Sequence, residues 1–429
     1  MLQNKGSVKI LFSLRDEKKR TKYGLLIIEI IFIMAALISI FKYGNSLLLG
    51  SLEKFDNDDV KYIRSAWNLI DNKILSYENV KESTLYIMPG LTFVLAFFMM
   101  IFGKMQGLVA FKVFQMMLQA GSIYLIFLIG RKVFGSRVGL IASVIDVIYI
   151  TELFVVNTIL MECISKFLLL LLIYISIYAI ETKSVKLYAL GGIIWAISCL
   201  FKPTMVVYPI LILVIWIKSK YKFSEILKYT TLVLIIFCTI MSPWWVRNYI
   251  DFNRFIPFTK STGNPFLQGT FINYDQSEGW GVPYVKGRNA IESDENETKA
   301  GLQRLEKYGK KQPFKFVFWY TIGKTLLFWK DPFYWRTIFN ITFLIANVIH
   351  KIILLLGIIG MVKGAKENSN VALLIGVLLF LNLIYLPFYT FSRYSYIAMP
   401  LVMIFAAFSI DKIIIRKKRN LLVWKRTPC

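Results

Sequence analysis

Charge is scarce in this chain. Only 18% of its 429 residues are Asp, Glu, Lys or Arg, against 56% apolar ones, and the mean hydropathy is +0.57. That balance excludes an ordinary water-soluble globular domain of this size. Cysteine is scarce too: Cys163, Cys199 and Cys238 lie inside apolar runs and Cys429 ends the chain, so no disulfide framework is implied and the three internal thiols read as packing residues. There is one histidine, His350, which heads an apolar run and reads as structural. Period-two alternation is missing, which argues against a membrane barrel. A Walker loop and a Gly-rich dinucleotide fingerprint are missing as well, so a membrane-borne group donor is favoured over a soluble nucleotide. No internal repeat or low-complexity tract occurs.

Acidic residues are outnumbered 26 to 51 by basic ones, for a formal charge of +25. A nucleic-acid partner would need a basic soluble face with groove-reading or base-stacking elements, and none is present. Much of the excess flanks apolar runs instead. Lys18, Lys19, Arg20 and Lys22 precede the first, and Arg416, Lys417, Lys418 and Arg419 follow the last, as expected for cytoplasmic ends of membrane helices.

What is present is a series of apolar runs suited to α-helices crossing about 30 Å of hydrocarbon. Candidate spans are 24–43, 107–130, 137–156, 159–180, 187–202, 203–217, 228–247, 340–362, 371–389 and 393–413. Segments 86–103 and 316–329 decide the parity. If 86–103 crosses, the basic loops holding Arg131, Lys132 and Arg137, Lys183 and Lys186, and Lys218, Lys220 and Lys222 all fall outside. If it lies in the interface, all three fall inside with both termini. We therefore expect ten spans (ten to twelve with the ambiguous segments), with Pro203 breaking the 187–217 stretch. The chain divides into a cytoplasmic N-terminus (1–23), a membrane module (24–247) that includes an external loop (44–106), a large external loop with an interfacial helix (248–339), C-terminal membrane helices (340–413) and a basic cytoplasmic tail (414–429). Trp244, Trp245, Trp319, Trp329 and Trp335 fit an interfacial aromatic belt.

With topology set by loop charges, the remaining polar residues gather on one side. Asp56, Asp58 and Asp59 lie in the first external loop, and Glu162 starts a span at its outer end. Lys202 sits at the break before Pro203, Arg247 closes span 228–247, and Arg393 opens the last span. Charges at such depth line wet cavities or pair with one another. Lys and Arg suit phosphate oxygens, and a carboxylate suits a hydroxyl that must lose its proton. Blander readings exist for each: Asp58 or Asp59 as the cap of a helix over 60–70, Glu162 paired with Lys166 one turn on, Lys202 as a snorkelling lysine. Asp56-Asn-Asp58 also has the form used to hold Mg2+ or Mn2+. Lys112, Gln115, Gln119 and Asp146 read as interhelical polar contacts.

These residues carry a resemblance. Asp58-Asp59-Val-Lys-Tyr62 resembles the first-loop acidic motif of the GT-C superfamily of polyprenyl-phosphate-sugar-dependent glycosyltransferases. Tyr86-Ile-Met-Pro89-Gly90 is similar to that superfamily's proline-containing interfacial segment. Asn157-Thr-Ile-Leu160-Met-Glu162 resembles its Arg-x-x-Leu-x-acid loop, with Asn157 where Arg is frequent. Leu200-Phe-Lys202-Pro203 and Pro243-Trp244-Trp-Val-Arg247-Asn248 resemble its lipid-phosphate turn and its Pro-Trp-x-x-Arg-Asn signature. The set runs over roughly residues 20–335 and is closest to the protein O-mannosyltransferase and lipid A aminoarabinose transferase branch, glycosyltransferase family 39-like.

The resemblance implies a GT-C-type, all-α helical bundle in the cell membrane, with its site on the extracytoplasmic face. It implies inverting transfer of a sugar from a polyprenyl-phosphate carrier to a protein, lipid or glycan acceptor. Asp58 would be the base, with Asp59 and Glu162 beside it, and Lys202, Arg247 and Arg393 would hold the donor phosphate. A polysaccharide polymerase or ligase and a lipid-linked-sugar flippase are the competing readings; the last would call for inverted repeats and broken midplane helices. An Asp58→Cys variant in intact cells should react with a membrane-impermeant maleimide; protection from the reagent would overturn the topology.

Overall fold

The computed structural model describes residues 11–277, 279–365, 367 and 369–424, with no side-chain description for 369 and 416–424. Residues 1–10, the side chains of the basic cluster Arg416 to Arg419, and Cys429 therefore lie outside the described residues. Helices follow one another in the order α1 (Lys19–Tyr43), α2 (Asp58–Asn72), α3 (Gly90–Phe102), α4 (Lys104–Phe134), α5 (Ser136–Ile148), α6 (Thr151–Asn157), α7 (Glu162–Thr182), α8 (Val185–Phe201), α9 (Tyr208–Lys218) and α10 (Phe223–Phe252). The second half adds α11 (Gly263–Gly269), α12 (Ala290–Lys311), α13 (Pro313–Phe318), α14 (Lys324–Trp329), α15 (Phe343–Gly364), α16 (Ser369–Tyr385) and α17 (Met399–Trp424). Among the described residues the only β pairing is an isolated bridge between Ile338 and Ile341. The architecture is all-helical, as expected.

Six helices are long and apolar enough to cross a membrane: α1, α4, α7, α10, α15 and the stretch Ser392–Ile415 that contains the start of α17. The pair α5 and α6, bent by 60° at its break, makes a seventh. This is a multi-pass membrane protein. The other three expected spans fall on shorter apolar helices, Val185–Phe201, Pro203–Lys218 and Asn370–Tyr385. The α3 segment has 13 residues, or about 20 Å at 1.5 Å per residue, less than a hydrocarbon core. Segment 316–329 is not one helix: α13 passes through a π-helical turn at Trp319–Gly323 into α14.

Local sequence accounts for the breaks that shape the site. Pro203 has no N–H to continue α8, and a 3-10 turn over Pro203–Val207 leads into α9. Pro400 sits in the first turn of α17, where a missing N–H costs nothing, and the chain before it forms the 3-10 helix Ser392–Ala398. Helix α2 is amphipathic, burying Val60, Ile63 and Ala66 at three-residue spacing. Its cap is Asn57, whose side chain accepts from the Asp58 N–H at 2.8 Å, so neither Asp58 nor Asp59 is the cap that the sequence suggested.

Helices inside lipid gain nothing from apolar burial against one another, so close approach at small residues matters more. The contact of α15 with α17 is of this kind. A Cβ at Gly360 would run into the carbonyl oxygen of Phe405, and one at Gly357 into the Val402 side chain. Gly360→Val should therefore force the two helices apart at a cost of about 1–3 kcal/mol. A fall in the thermal unfolding midpoint of the purified protein would report it; an unchanged midpoint would show that the contact is not tight.

Candidate active site

The 3-10 helix before α17 carries Arg393 into the bundle, where the residue keeps only 8% of its side-chain surface. Its guanidinium bridges two carboxylates contributed by distant parts of the chain. Nε donates to Glu162 Oε1 at 2.6 Å, and Nη1 donates to Asp58 Oδ2 at 2.9 Å. Glu162 opens α7 and is 1% exposed, whereas the Asp58 side chain, at the start of α2, is 46% exposed. The bridge therefore runs from the interior to an open mouth. Glu162 is not paired with Lys166, contrary to the one-turn ion pair considered from sequence.

Asp58 has a second partner that sequence reasoning did not single out. The Tyr77 hydroxyl donates to Asp58 Oδ1 at 2.8 Å, and its ring packs between Tyr62 and Tyr86. Burial raises the pKa of Tyr77 far above its usual range, with Tyr62 and Asp58 adding to the effect, so it remains a donor. Burial also pushes the Asp58 carboxyl up, but the Arg393 charge and the Tyr77 hydrogen bond outweigh it, and the net shift is downward. A depressed carboxyl adds stability that is present above its unfolded value of about 3.9 and is lost as pH falls through the lower folded value. Asp58 is thus an ionised acceptor throughout the neutral range.

Asp59 faces the other way. Its carboxylate accepts from the Leu49, Gly50 and Val60 backbone N–H groups, at 2.6, 3.2 and 2.8 Å, and so shapes the loop before α2. Burial raises its pKa despite those three donors. Asp56 accepts from the Ser51 N–H at 2.8 Å within the same loop. With Asp58 turned to a cation and a tyrosine, and Asp56 turned to its own backbone, the pair does not converge on a point where a divalent ion would sit. Among the described residues no group of three or more His, Cys, Asp or Glu side chains could hold a metal.

Lys202 stands over Tyr394, the residue that follows Arg393 in the chain. It is 5% exposed, and its ammonium, among the described residues, has no hydrogen-bond acceptor. Instead it stands 5.3 and 5.7 Å from the ring centroids of Tyr394 and Tyr385, which stack on each other at 4.6 Å. A buried cation satisfied only by ring faces is a site with capacity for an anion. Arg247 is placed elsewhere. It pairs with Asp251 at 3.0 Å, donates to the Thr84 carbonyl and Asn248, and lines a cavity of about 460 Å3 with Lys73, Gly90, Phe93 and Trp244. The structure thus brings Asp58, Glu162 and Arg393 into direct contact, sets Lys202 over the ring of Tyr394, the residue after Arg393, and places Arg247 at a separate cavity.

Beneath the bridge lies a second charged cluster that is fully buried. Lys166 reaches Asp146 at 2.7 Å and Glu152 at 2.8 Å, Gln119 donates to Asp146, and the Tyr396 hydroxyl donates to Glu152. Glu152 was missed in the sequence. The signal was available, because two acids inside apolar runs require a cation and Lys166 was assigned elsewhere. The expected structural roles hold for Lys112, which donates to the Gly44 carbonyl, Gln115, which donates to the Val156 and Thr158 carbonyls, and His350, held between Tyr149 and the Trp329 carbonyl.

A sequence model described as dolichyl-phosphate-mannose-protein mannosyltransferase matches residues 88–246, so the family resemblance is borne out for that part of the chain. No curated protein sequence matches it. In fold, the chain is similar to the oligosaccharyltransferase AglB of Archaeoglobus fulgidus, solved with an inhibitory peptide and a dolichol-phosphate: 13% identity, TM-score 0.56, 96% of this chain and 53% of that one. The chain therefore spans about half the length of that protein. A structure of the same oligosaccharyltransferase with Zn and sulfate aligns at 13% identity and TM-score 0.49, over 92% and 51% of the two chains. ArnT from Cupriavidus metallidurans bound to undecaprenyl phosphate aligns at 12% identity and TM-score 0.43, over 88% and 77%. The fold is GT-C-like.

Removing Arg393 should leave Glu162 buried and uncompensated, at a cost of about 3–5 kcal/mol. Arg393→Leu should lower the unfolding midpoint sharply, and adding Glu162→Gln should restore much of it. If the double variant is no more stable than the single one, the two residues are not coupled.

Proposed function

We propose that this chain, whose residues 88–246 match a mannosyltransferase family by sequence, is a membrane glycosyltransferase that takes a sugar from a polyprenyl-phosphate carrier. The observation that carries the reading is the Asp58–Arg393–Glu162 bridge at an open mouth, together with the acceptor-less Lys202 ammonium over the ring of Tyr394, the residue after Arg393. The mouth is extracytoplasmic in this reading, both termini are cytoplasmic, and the three short apolar helices complete ten crossings while α3 lies in the interface. At 16 or 17 residues those short spans reach about 24–26 Å, less than about 30 Å of hydrocarbon, so the bilayer thins around them. The acceptor is a glycan, lipid or protein hydroxyl.

In the reaction, the acceptor hydroxyl attacks the anomeric carbon from the face opposite the carrier, the bond to the carrier phosphate breaks, and configuration inverts. Asp58 takes the hydroxyl proton. Lys202 and Arg393 offset negative charge on the departing phosphate, with Glu162 fixing the direction of Arg393. Arg247 would meet the same lipid from the adjacent cavity. A phosphate that draws Nη1 of Arg393 toward itself also strips Asp58 of its counter-charge, and the carboxylate becomes a stronger base only when donor is bound. Asp59 supports this geometry through the loop it holds. No step here uses a divalent ion.

One feature favours a transport reading instead: the 60° break between α5 and α6 beside the buried Lys166 cluster. Incubation of the purified protein with radiolabelled polyprenyl-phosphate sugars separates the two. The wild type should consume donor, and Asp58→Asn should be slower by about 10^2- to 10^4-fold. Because Asp58 is held below its ordinary range, the acid limb of kcat/KM should lie below about pH 4. Donor left intact by both forms, with labelled lipid crossing vesicle membranes, would replace the enzyme reading.

A further inference from the structure

Five tryptophans had the sequence position of an interfacial belt, and four of them are tied into the protein. The indole N–H groups of Trp244, Trp245, Trp319 and Trp329 donate to Phe258, Pro257, Gly269 and Asn382. Trp335 differs. It is 42% exposed, and its N–H meets no acceptor among the described residues. One face of its ring system is backed by Phe391, stacked at 6.0 Å and 17°, and Phe333 meets it edge-on at 4.8 Å.

The surroundings place this shelf at the candidate site. Phe333 lies 5.9 Å from the Arg393 guanidinium carbon. Phe391 is two residues before Arg393 in the chain. On the other side, Arg336 donates to the Leu49 carbonyl at 3.0 Å, and Leu49 is the residue whose N–H is held by Asp59. Trp335 is therefore clamped between the two segments that supply Arg393 and Asp58. The fold leaves an aromatic ring 42% exposed between the segments that carry Arg393 and Asp58, with a free N–H at its edge.

We propose that Trp335 and Phe391 form a saccharide subsite beside Asp58, on which the apolar face of a pyranose ring lies. The negative face of an indole attracts the partly positive C–H bonds of such a ring, the burial of apolar area adds to this, and the N–H can meet a sugar hydroxyl. The subsite rests on the glycosyltransferase reading above, and the sugar it holds is that of the donor or that of a glycan acceptor.

Saturation-transfer NMR on the full chain in nanodiscs, with methyl α-mannoside and methyl β-glucoside as probes, tests binding without turnover. The wild type should transfer saturation to the ring C–H protons. Trp335→Ala and Phe391→Ala should weaken binding by about tenfold, the scale of one lost aromatic contact, and Trp335→Phe should keep most of it. Donor turnover then assigns the source. Slower acceptor-free hydrolysis of a polyprenyl-phosphate sugar by Trp335→Ala would place the donor sugar on the shelf. Unchanged hydrolysis with slower transfer to a methyl glycoside would place the acceptor there. Absence of saturation transfer in the wild type, or equal binding by Trp335→Ala, overturns the subsite and returns Trp335 to the membrane belt. A chain that consumes no donor yet binds glycosides through Trp335 keeps the subsite and rejects the enzyme reading.

Discussion

A guanidinium taken out of water among membrane helices has to be met by carboxylates, and Arg393 is met by two. The cost of desolvating three charged groups is recovered only when geometry is close and each charge is shared. That requirement ties together the starts of α2 and α7 and the 3-10 turn before α17. The open side of the bridge is what makes it more than a clamp. Glu162 is sealed in, while Asp58 keeps contact with solvent, so one end of the pair is fixed and the other can exchange partners.

The second charged cluster supports the first from below. Glu162 and Lys166 stand one turn apart on α7, and Arg393 and Tyr396 stand one turn apart before α17. The outer pair uses Glu162 and Arg393, and the inner network uses Lys166 and Tyr396. The same two elements are thus pinned at two depths, which fixes their rotation as well as their separation. A single contact would leave either helix free to turn and carry its charged side chain away from the mouth.

Much of this was legible in the sequence because membrane helices announce themselves and lysines in loops set their parity. The expected spans fall on helical segments, with 137–156 split into the bent pair α5 and α6, and Asp58, Glu162 and Arg393, expected on one side, do converge. Pairing was not legible. Glu162 and Lys166 have helix-neighbour spacing, but each found a partner on another element, because buried charges choose by three-dimensional reach and not by spacing along the chain. Asn57 and Tyr77 were missed for a related reason: a cap and a hydroxyl donor act through one hydrogen bond, and a loop sequence contains many groups able to make one. The five tryptophans expected to form one belt differ among themselves, since Trp335 shares the residue type of the others without their indole hydrogen bonds.

The part of the chain that matches a family by sequence contains Glu162 and Lys202, but Asp58 lies before it and Arg393 far after it. The bridging contact from Arg393 to Asp58 spans 335 positions. The matched segment therefore brings a buried acid and an unpaired ammonium, and the groups that open to solvent arrive from flanking regions. Trp335 and Phe391 also come from outside it. If the internal helices supply a constant framework for a lipid phosphate, the flanking segments, which meet water and hold the exposed carboxylate and the aromatic shelf, are the parts able to select what approaches from outside. Selectivity and phosphate handling would then be separable by mutation, because they rest on side chains from different parts of the chain that meet at Arg393.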